Sequence, residues 1–216
     1  MAMTNQQIID ETVKFVRETL QNAEGGHDWW HIQRVWVNAK KIAEQEPCDI
    51  LTVELAALLH DIADSKFHNG DEEIGPVTAG KFLQGLDVDA NVIEHVQQII
   101  RHISFKSSFG EVKFQSPELN IVQDADRLDA LGAIGIARTF SFGGYKGREI
   151  YNPEVPPDLN MSKEEYKKST NPSINHFYEK LLLLKDKMNT TAGRQMAEQR
   201  HAFMEEYLRQ FYSEVE

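Results

Sequence analysis

Apolar residues recur at three- and four-residue steps along most of the chain: Ile8, Val13, Phe15, Val16 and Leu20, then Val35, Val37, Ala39 and Ile42, then Leu51, Leu55, Leu58, Leu59 and Ile62. That period puts them on one side of an α-helix and predicts helix after helix. Stops are expected at Gly25-Gly26 after the first, Pro47 after the second, and Gly70 and Pro76 after the third. Gly85 closes TAGKFLQ, and Gly110 follows the segment from Val92 to Arg101. Asp28 stands where an N-cap precedes WWHIQRVWVNAKKIA, and Thr52 opens the helix that carries His60. A further helix is expected from Asp124 to Thr139, and Ser173 to Tyr212 predicts two more. No alternating strand of useful length competes; Lys113-Phe114 and Arg148 to Tyr151 are at most short extended pieces. From Phe142 to Pro172 the periodicity lapses, with three Gly and four Pro, which suits a lid or binding loop. There is no internal repeat, so the expectation is one all-α domain over residues 1–216, with its core at 20–140, the loop at 142–172 and C-terminal helices at 173–212.

Composition narrows the function. With 23 Lys+Arg against 34 Asp+Glu the net charge is −11 and no basic block exists. Neither polymeric nucleic acid nor an anionic membrane is an expected partner, although a local basic pocket can still hold a phosphate. Cys48 is the only cysteine, which excludes an internal disulfide and a CxxC motif and suits a reducing cytoplasm. The N-terminal stretch mixes acidic residues into its apolar pattern, unlike a secretory signal, and no apolar run approaches the ~18 residues of a membrane span.

Four ionisable groups lie inside or at the end of apolar helical patterns, where each must find a partner or pay for desolvation. They are His31, the pair His60-Asp61, and Asp126 in VQDADRLDAL. Two imidazoles and two carboxylates from three helices can converge on one divalent cation. Mixed nitrogen and oxygen donors favour Mn, Fe, Co, Ni or Zn over the all-oxygen sites of Ca or Mg. Taken singly, each His is more ordinarily a hydrogen-bonded structural residue than a ligand.

HIQRVWVNAKKIA, ELAALLHDIAD and IVQDADRLDALGAIGIAR, in that order, resemble the HD-domain metal-dependent phosphohydrolases, and RTFSFGGYKGREIY, HFYEKLLLLKDKM and TTAGRQMAEQR are similar to their small bacterial YedJ/YpgQ-type branch. The resemblance implies an all-α HD-domain bundle with one divalent metal, Mn or Fe ahead of Co, Ni, Zn and Mg. Its H…HD…D pattern falls on His31, His60, Asp61 and Asp126, the last chosen over Asp124 and Asp129 because ADRL matches the family's ADxL context. Phosphate esters repel hydroxide, and a cation that anchors a phosphoryl oxygen and acidifies water answers that difficulty. Asp64, three residues beyond Asp61, is expected one helical turn along, in reach of the attacking water; the resemblance implies the role of general base. A solvated or capping carboxylate is the alternative.

Substrate charge needs cations. Arg34, one turn after His31, either binds phosphate or holds its helix through an acidic neighbour. His102 is a candidate phosphate contact or, with His95 and His68, a ligand of a second metal, and equally a helix-end dipole partner. GGYKGR lacks the spacing of a P-loop. Lys146 and Arg148 remain candidates for a lid over the site, and Lys180, Arg194 and Arg200 for pairing with phosphates or for balancing an acidic surface. Trp29, Trp30 and Trp36 either wall the metal pocket or stack a base, and Phe140, Phe142 and Tyr145 are expected nearer its mouth. The resemblance implies a small phosphorylated substrate, a nucleotide, with a nucleoside triphosphate cleaved to monophosphate and pyrophosphate as one form of the reaction. A di-iron HD-fold oxygenase and a non-catalytic metal-bound ligand sensor are the rival readings.

Overall fold

A computed structural model describes residues 3–21, 28–63, 71, 73–103, 114–162, 165 and 168–215. They form helices and irregular connections, with no strand among the described residues. The chain divides into two compact units, Met1–Asp126 and Arg127–Glu216. No helix among the described residues is long and apolar enough to cross a membrane.

The first unit contains α1 (Asn5–Thr19), α2 (Trp29–Ala43), α3 (Ile50–Leu59), α4 (Ile74–Gly85), α5 (Ala90–His102) and the part of α6 (Pro117–Asp129) up to Asp126. Helix α3 is apolar almost all round, and Val53 and Leu55 to Leu59 are fully buried. It is therefore the central rod, packed on α1, α2 and α5. Each such large side chain withdrawn from water contributes roughly 2 kcal/mol. Helices α1 and α4 meet through Phe15 and Phe82, whose rings stack at 4.0 Å.

Side-chain caps set the helix starts. Asp28 caps α2 as expected, accepting from the His31 amide at 3.0 Å. Helix α3, however, starts earlier than Thr52: Asp49 caps it, accepting from Leu51 N, and the Thr52 hydroxyl is spent on Asp49 Oδ2 at 2.6 Å. Pro76 does not stop a helix; it lies in the first turn of α4, where no intrahelical N–H is required. Gly25-Gly26, Gly70, Gly110 and Lys113 lie outside the described residues.

The second unit takes the end of α6 with α7 (Gly132–Tyr145), α8 (Asn175–Glu179), a 3-10 turn (Leu181–Lys187) and α9 (Thr191–Val215). The single helix expected from Asp124 to Thr139 is two. Leu131 turns extended (φ −113°, ψ 160°) and Gly132 takes φ +69°, a left-handed value that glycine adopts without strain. Helix α7 then runs to Tyr145, past the expected loop start at Phe142, and the C-terminal pair becomes α8, the 3-10 turn and α9. The core holds fully buried Phe177, with the rings of Phe140 at 6.0 Å and Tyr207 at 5.8 Å. The start of the irregular segment is tied down: Glu149 and Ile150 carbonyls accept from Ser173 and Ile174 amides, so Arg148–Tyr151 is pinned without becoming a strand.

Candidate metal centre

His31 is the third residue of α2, and its side chain is only 3% exposed. His60 ends α3 as its C-cap, also with 3% of its side chain exposed. Its Nδ1 lies 2.9 Å from the Ala57 carbonyl, which can only accept, so Nδ1 carries the proton and Nε2 presents a lone pair. That Nε2 is buried and has no hydrogen-bond partner. Asp126, on α6, faces both rings: its Oδ1 is 3.6 Å from His31 Nε2 and 3.9 Å from His60 Nε2. Asp61 brings Oδ2 to 3.9 Å from His31 Nε2. The imidazoles meet edge to face with centroids 5.4 Å apart.

These separations are too long for hydrogen bonds, which for such atoms run to ~3.2 Å. They suit a shared ion, because two atoms each ~2.1 Å from one cation lie at most ~4.2 Å apart. His31, His60 and Asp126 each offer one donor atom within 4.8 Å of the others, a grouping that forms without Asp61. The orphaned lone pair of His60 and the mixed nitrogen and oxygen donors fit a borderline divalent metal. Of the carboxylates in DADRLD, Asp124 is fully buried with partners of its own and Asp129 pairs with Arg138. Asp126 alone of the three stands with the imidazoles and is 40% exposed, so the cluster has an open side.

The other expected residues fall into three groups. Asp64 and His68 lie outside the described residues. Helix α3 ends at Leu59, so Asp61 sits in the turn after it. In the first unit, Arg34 is half-buried and partnered within the fold. His102 closes α5, donating from Nδ1 to the Gln98 carbonyl at 2.8 Å, with the Phe114 ring 5.6 Å away. His95 Nε2 is engaged by Ser116 Oγ at 2.9 Å and stands 3.5 Å from Glu118 Oε2, where it fastens the start of α6.

In the second unit, exposed Lys146 lies over the rings of Tyr145 (5.0 Å) and Phe142 (5.7 Å). Arg148 donates to the Ser169 carbonyl at 2.6 Å. Lys180 is half-buried, and Arg194 is exposed in the first turn of α9. Burial pulls the His176 imidazole down to about 3, with the charges of Lys180 and Arg148 adding to the effect. Phe140 packs on Phe177 and Tyr207, while Phe142 and Tyr145 are exposed. Trp36 is a strut, its Nε1 donating to Glu54 Oε2 at 2.8 Å under Lys40. Trp29 is covered by Arg17 at 5.0 Å, and Trp30 is exposed.

Two supporting groups escaped the sequence reading. The Ala57 carbonyl, three residues before His60, sets the imidazole tautomer. Buried Asn38 lies seven residues after His31, two turns along the same face of α2, and its Nδ2 reaches the Ala125 carbonyl at 3.5 Å. The spacing of seven was the available signal for Asn38.

Comparison with known proteins bears on this arrangement. The HD domain family matches residues 29–131, a span that contains all four candidate ligands. The Bacillus subtilis protein YpgQ is 37% identical over 202 residues, 93% of this chain and 90% of its own. The crystal structure of an HD-superfamily hydrolase from Bacillus thuringiensis is 45% identical and superposes with a TM-score of 0.79, covering 98% of each chain. The crystal structure of Bacillus subtilis YpgQ in complex with ADP is 35% identical, with a TM-score of 0.77, covering 98% of this chain and 97% of that one.

Proposed function

The chain belongs to the HD-domain family of metal-dependent phosphohydrolases, in its YpgQ-type branch, and from that membership we propose that it hydrolyses a nucleotide, with His31, His60, Asp61 and Asp126 holding one divalent cation. The observation that carries the reading is the buried, unpartnered Nε2 of His60 standing 3.9 Å from Asp126 Oδ1. A bound divalent ion supplies positive charge against a phosphoryl oxygen and lowers the pKa of water. The chain's own groups do the rest. His60 holds its ring by donating to Ala57. The buried faces of His31 and His60 exclude bulk water, and the half-exposed Asp126 leaves the approach for a phosphate. Asp64 is proposed to take the proton from the attacking water. Arg34 and His102, carried by helices of the same unit, are proposed for the substrate's negative charge.

Mn or Fe suits this donor set best. A nucleotide is favoured over other phosphate esters because the related Bacillus subtilis YpgQ has been crystallised with ADP. Within that class we propose a nucleoside triphosphate, cleaved to monophosphate and pyrophosphate. The test is to incubate the Mn-loaded protein with ribo- and deoxynucleoside mono-, di- and triphosphates and to quantify phosphate and pyrophosphate separately. Pyrophosphate released from triphosphates in step with monophosphate is the expected result. Metal uptake with no release from any member of the panel would contradict it and favour a ligand sensor.

A further inference from the structure

Helix α2 buries one amide in a stripe that is otherwise Ile32, Val35, Ala39 and Ile42 beside His31. Asn38 is 5% exposed, and an amide is costlier to bury there than a Leu or an Ala unless it is bonded. Its Nδ2 donates to the Ala125 carbonyl at 3.5 Å, a long bond, and Ala125 directly precedes Asp126 on α6. A second amide grips α6 from a different helix. Half-buried Gln123 donates from Nε2 to the His102 carbonyl at 3.0 Å and approaches the Ile103 carbonyl at 3.4 Å. These are the last residue and the C-cap of α5, where a helix leaves its carbonyls without intrahelical donors. At the start of α6, Glu118 Oε1 accepts from the amide of Asp49, the N-cap of α3, at 2.9 Å, and Ser116 Oγ meets His95 Nε2 of α5 at 2.9 Å. All of these groups belong to the first unit.

The ties at Ser116 and Glu118 fix where α6 begins, and the two amides fix how it is turned. At 3.6 residues per turn, Gln123 and Ala125 lie roughly 160° apart around the axis, so α6 is held from α5 on one side and from α2 on nearly the other. A carboxylate oxygen sits on the order of 6 Å from a helix axis, and a 20° rotation of α6 would move it on the order of 2 Å. Metal ligands tolerate only about 0.2 Å. Resting on the metal-centre reading above, we infer that Asn38 and Gln123 are positioning residues, which set the rotation of α6 and thereby where Asp126 presents its carboxylate to His31 and His60. Asn38 stands on the helix that carries His31, so the same amide also ties the helices of two ligands together. Both side chains take part in further interactions within the fold, so a variant of either is judged by readouts at the metal and not by stability alone.

The experiment is Mn²⁺ titration by calorimetry, electron paramagnetic resonance of the ion at saturation, and thermal unfolding. The proteins are the wild type, Asp126→Ala, Asn38→Leu, Gln123→Met, the double variant of these two, and Phe82→Ala. Leu and Met fill similar space and remove the donor. Each single amide variant should weaken Mn²⁺ binding about tenfold, and the double variant towards 100-fold, the range seen when groups supporting a ligand are removed. The resonance of the bound ion should broaden, because Asp126 is no longer presented in one place. Phe82→Ala breaks the stack with Phe15 between α1 and α4, and it should lower the melting temperature while leaving both metal readouts as in wild type. If one amide variant does not fold, the other carries the test. Amide variants that melt earlier yet keep Mn²⁺ affinity within about twofold of wild type, with its spectrum, overturn the inference. A Phe82→Ala variant that loses Mn²⁺ as they do overturns it too, since lost stability would then explain the effect. A wild type that binds no Mn²⁺ sinks the metal-centre reading and this inference together. Binding that is lost in Asp126→Ala and unchanged in the amide variants sinks this inference alone.

Discussion

The two units use their carboxylates differently. In the first, Asp126 faces His31 and His60 at 3.6 and 3.9 Å, too far for hydrogen bonds, and the buried Nε2 of His60 has no hydrogen-bond partner. In the second, Asp129 is closed by direct donation from Arg138, and Arg200 and Arg127 are both spent on backbone carbonyls. Leaving a buried polar atom unpaired costs about 1–3 kcal/mol, and Trp29 Nε1 and His201 Nδ1 are left so as well; what marks His60 as built to receive something is that its unpaired Nε2 stands with a second imidazole and a carboxylate within 4.8 Å.

The largest expected effect is on the open cluster. Asp126→Asn keeps the side-chain volume and removes the charge; hydrolysis should fall at least about a thousandfold, ~4 kcal/mol of barrier, with little change in melting temperature. Equal activity in that variant would erase the distinction between the two regions. Phe177→Ala, in the aromatic core of the second unit, should do the reverse, costing about 3–4 kcal/mol of stability by chemical denaturation while Mn²⁺ affinity is retained.

The third prediction uses pH. His176 is held neutral when folded, with its pKa down to about 3, whereas the unfolded chain protonates it near 6.5. Between those values the unfolded state binds more protons, so this contribution is complete above pH 6.5 and is lost as pH falls towards 3. The loss by pH 4 is on the order of 3 kcal/mol, and urea titrations of wild type and His176→Gln should differ by about that slope. Parallel pH profiles would show that burial of His176 does not set this term. The smallest effect is expected at Asp28→Ala, which removes the cap of the helix that carries His31 and should cost about 1 kcal/mol, or roughly 2–4 °C in melting temperature.

Much of this was readable from the chain, for identifiable reasons. Helical periodicity exposed the helices of the first unit, and the Asp28 cap was visible because Asp stands directly before an apolar repeat. His31, His60 and Asp126 stand out as ionisable groups embedded in apolar patterns, but the preference for Asp126 over Asp124 and Asp129 comes from the family's ADxL context and not from the pattern. Helix ends decided by tertiary contacts were not legible. Thr52 reads as a cap, but its hydroxyl serves Asp49. The break after α6 was hidden because apolar residues continue through it at Leu128 and Leu131, while the turn depends on the backbone angle of Gly132. Nothing in the neighbourhood of Phe140 announces its packing on Phe177 and Tyr207. Nor does spacing reveal that Asp129 meets Arg138 or that Arg200 reaches the Leu128 carbonyl 72 residues away.

The central claim is that His60 keeps its Nε2 free for a cation. The most direct measurement is the metal content of purified wild type and His60→Ala after Mn²⁺ loading and gel filtration, with circular dichroism on the same samples. One equivalent per chain in wild type and none in a helical, folded His60→Ala is the expected result. One equivalent retained in the variant would contradict the account.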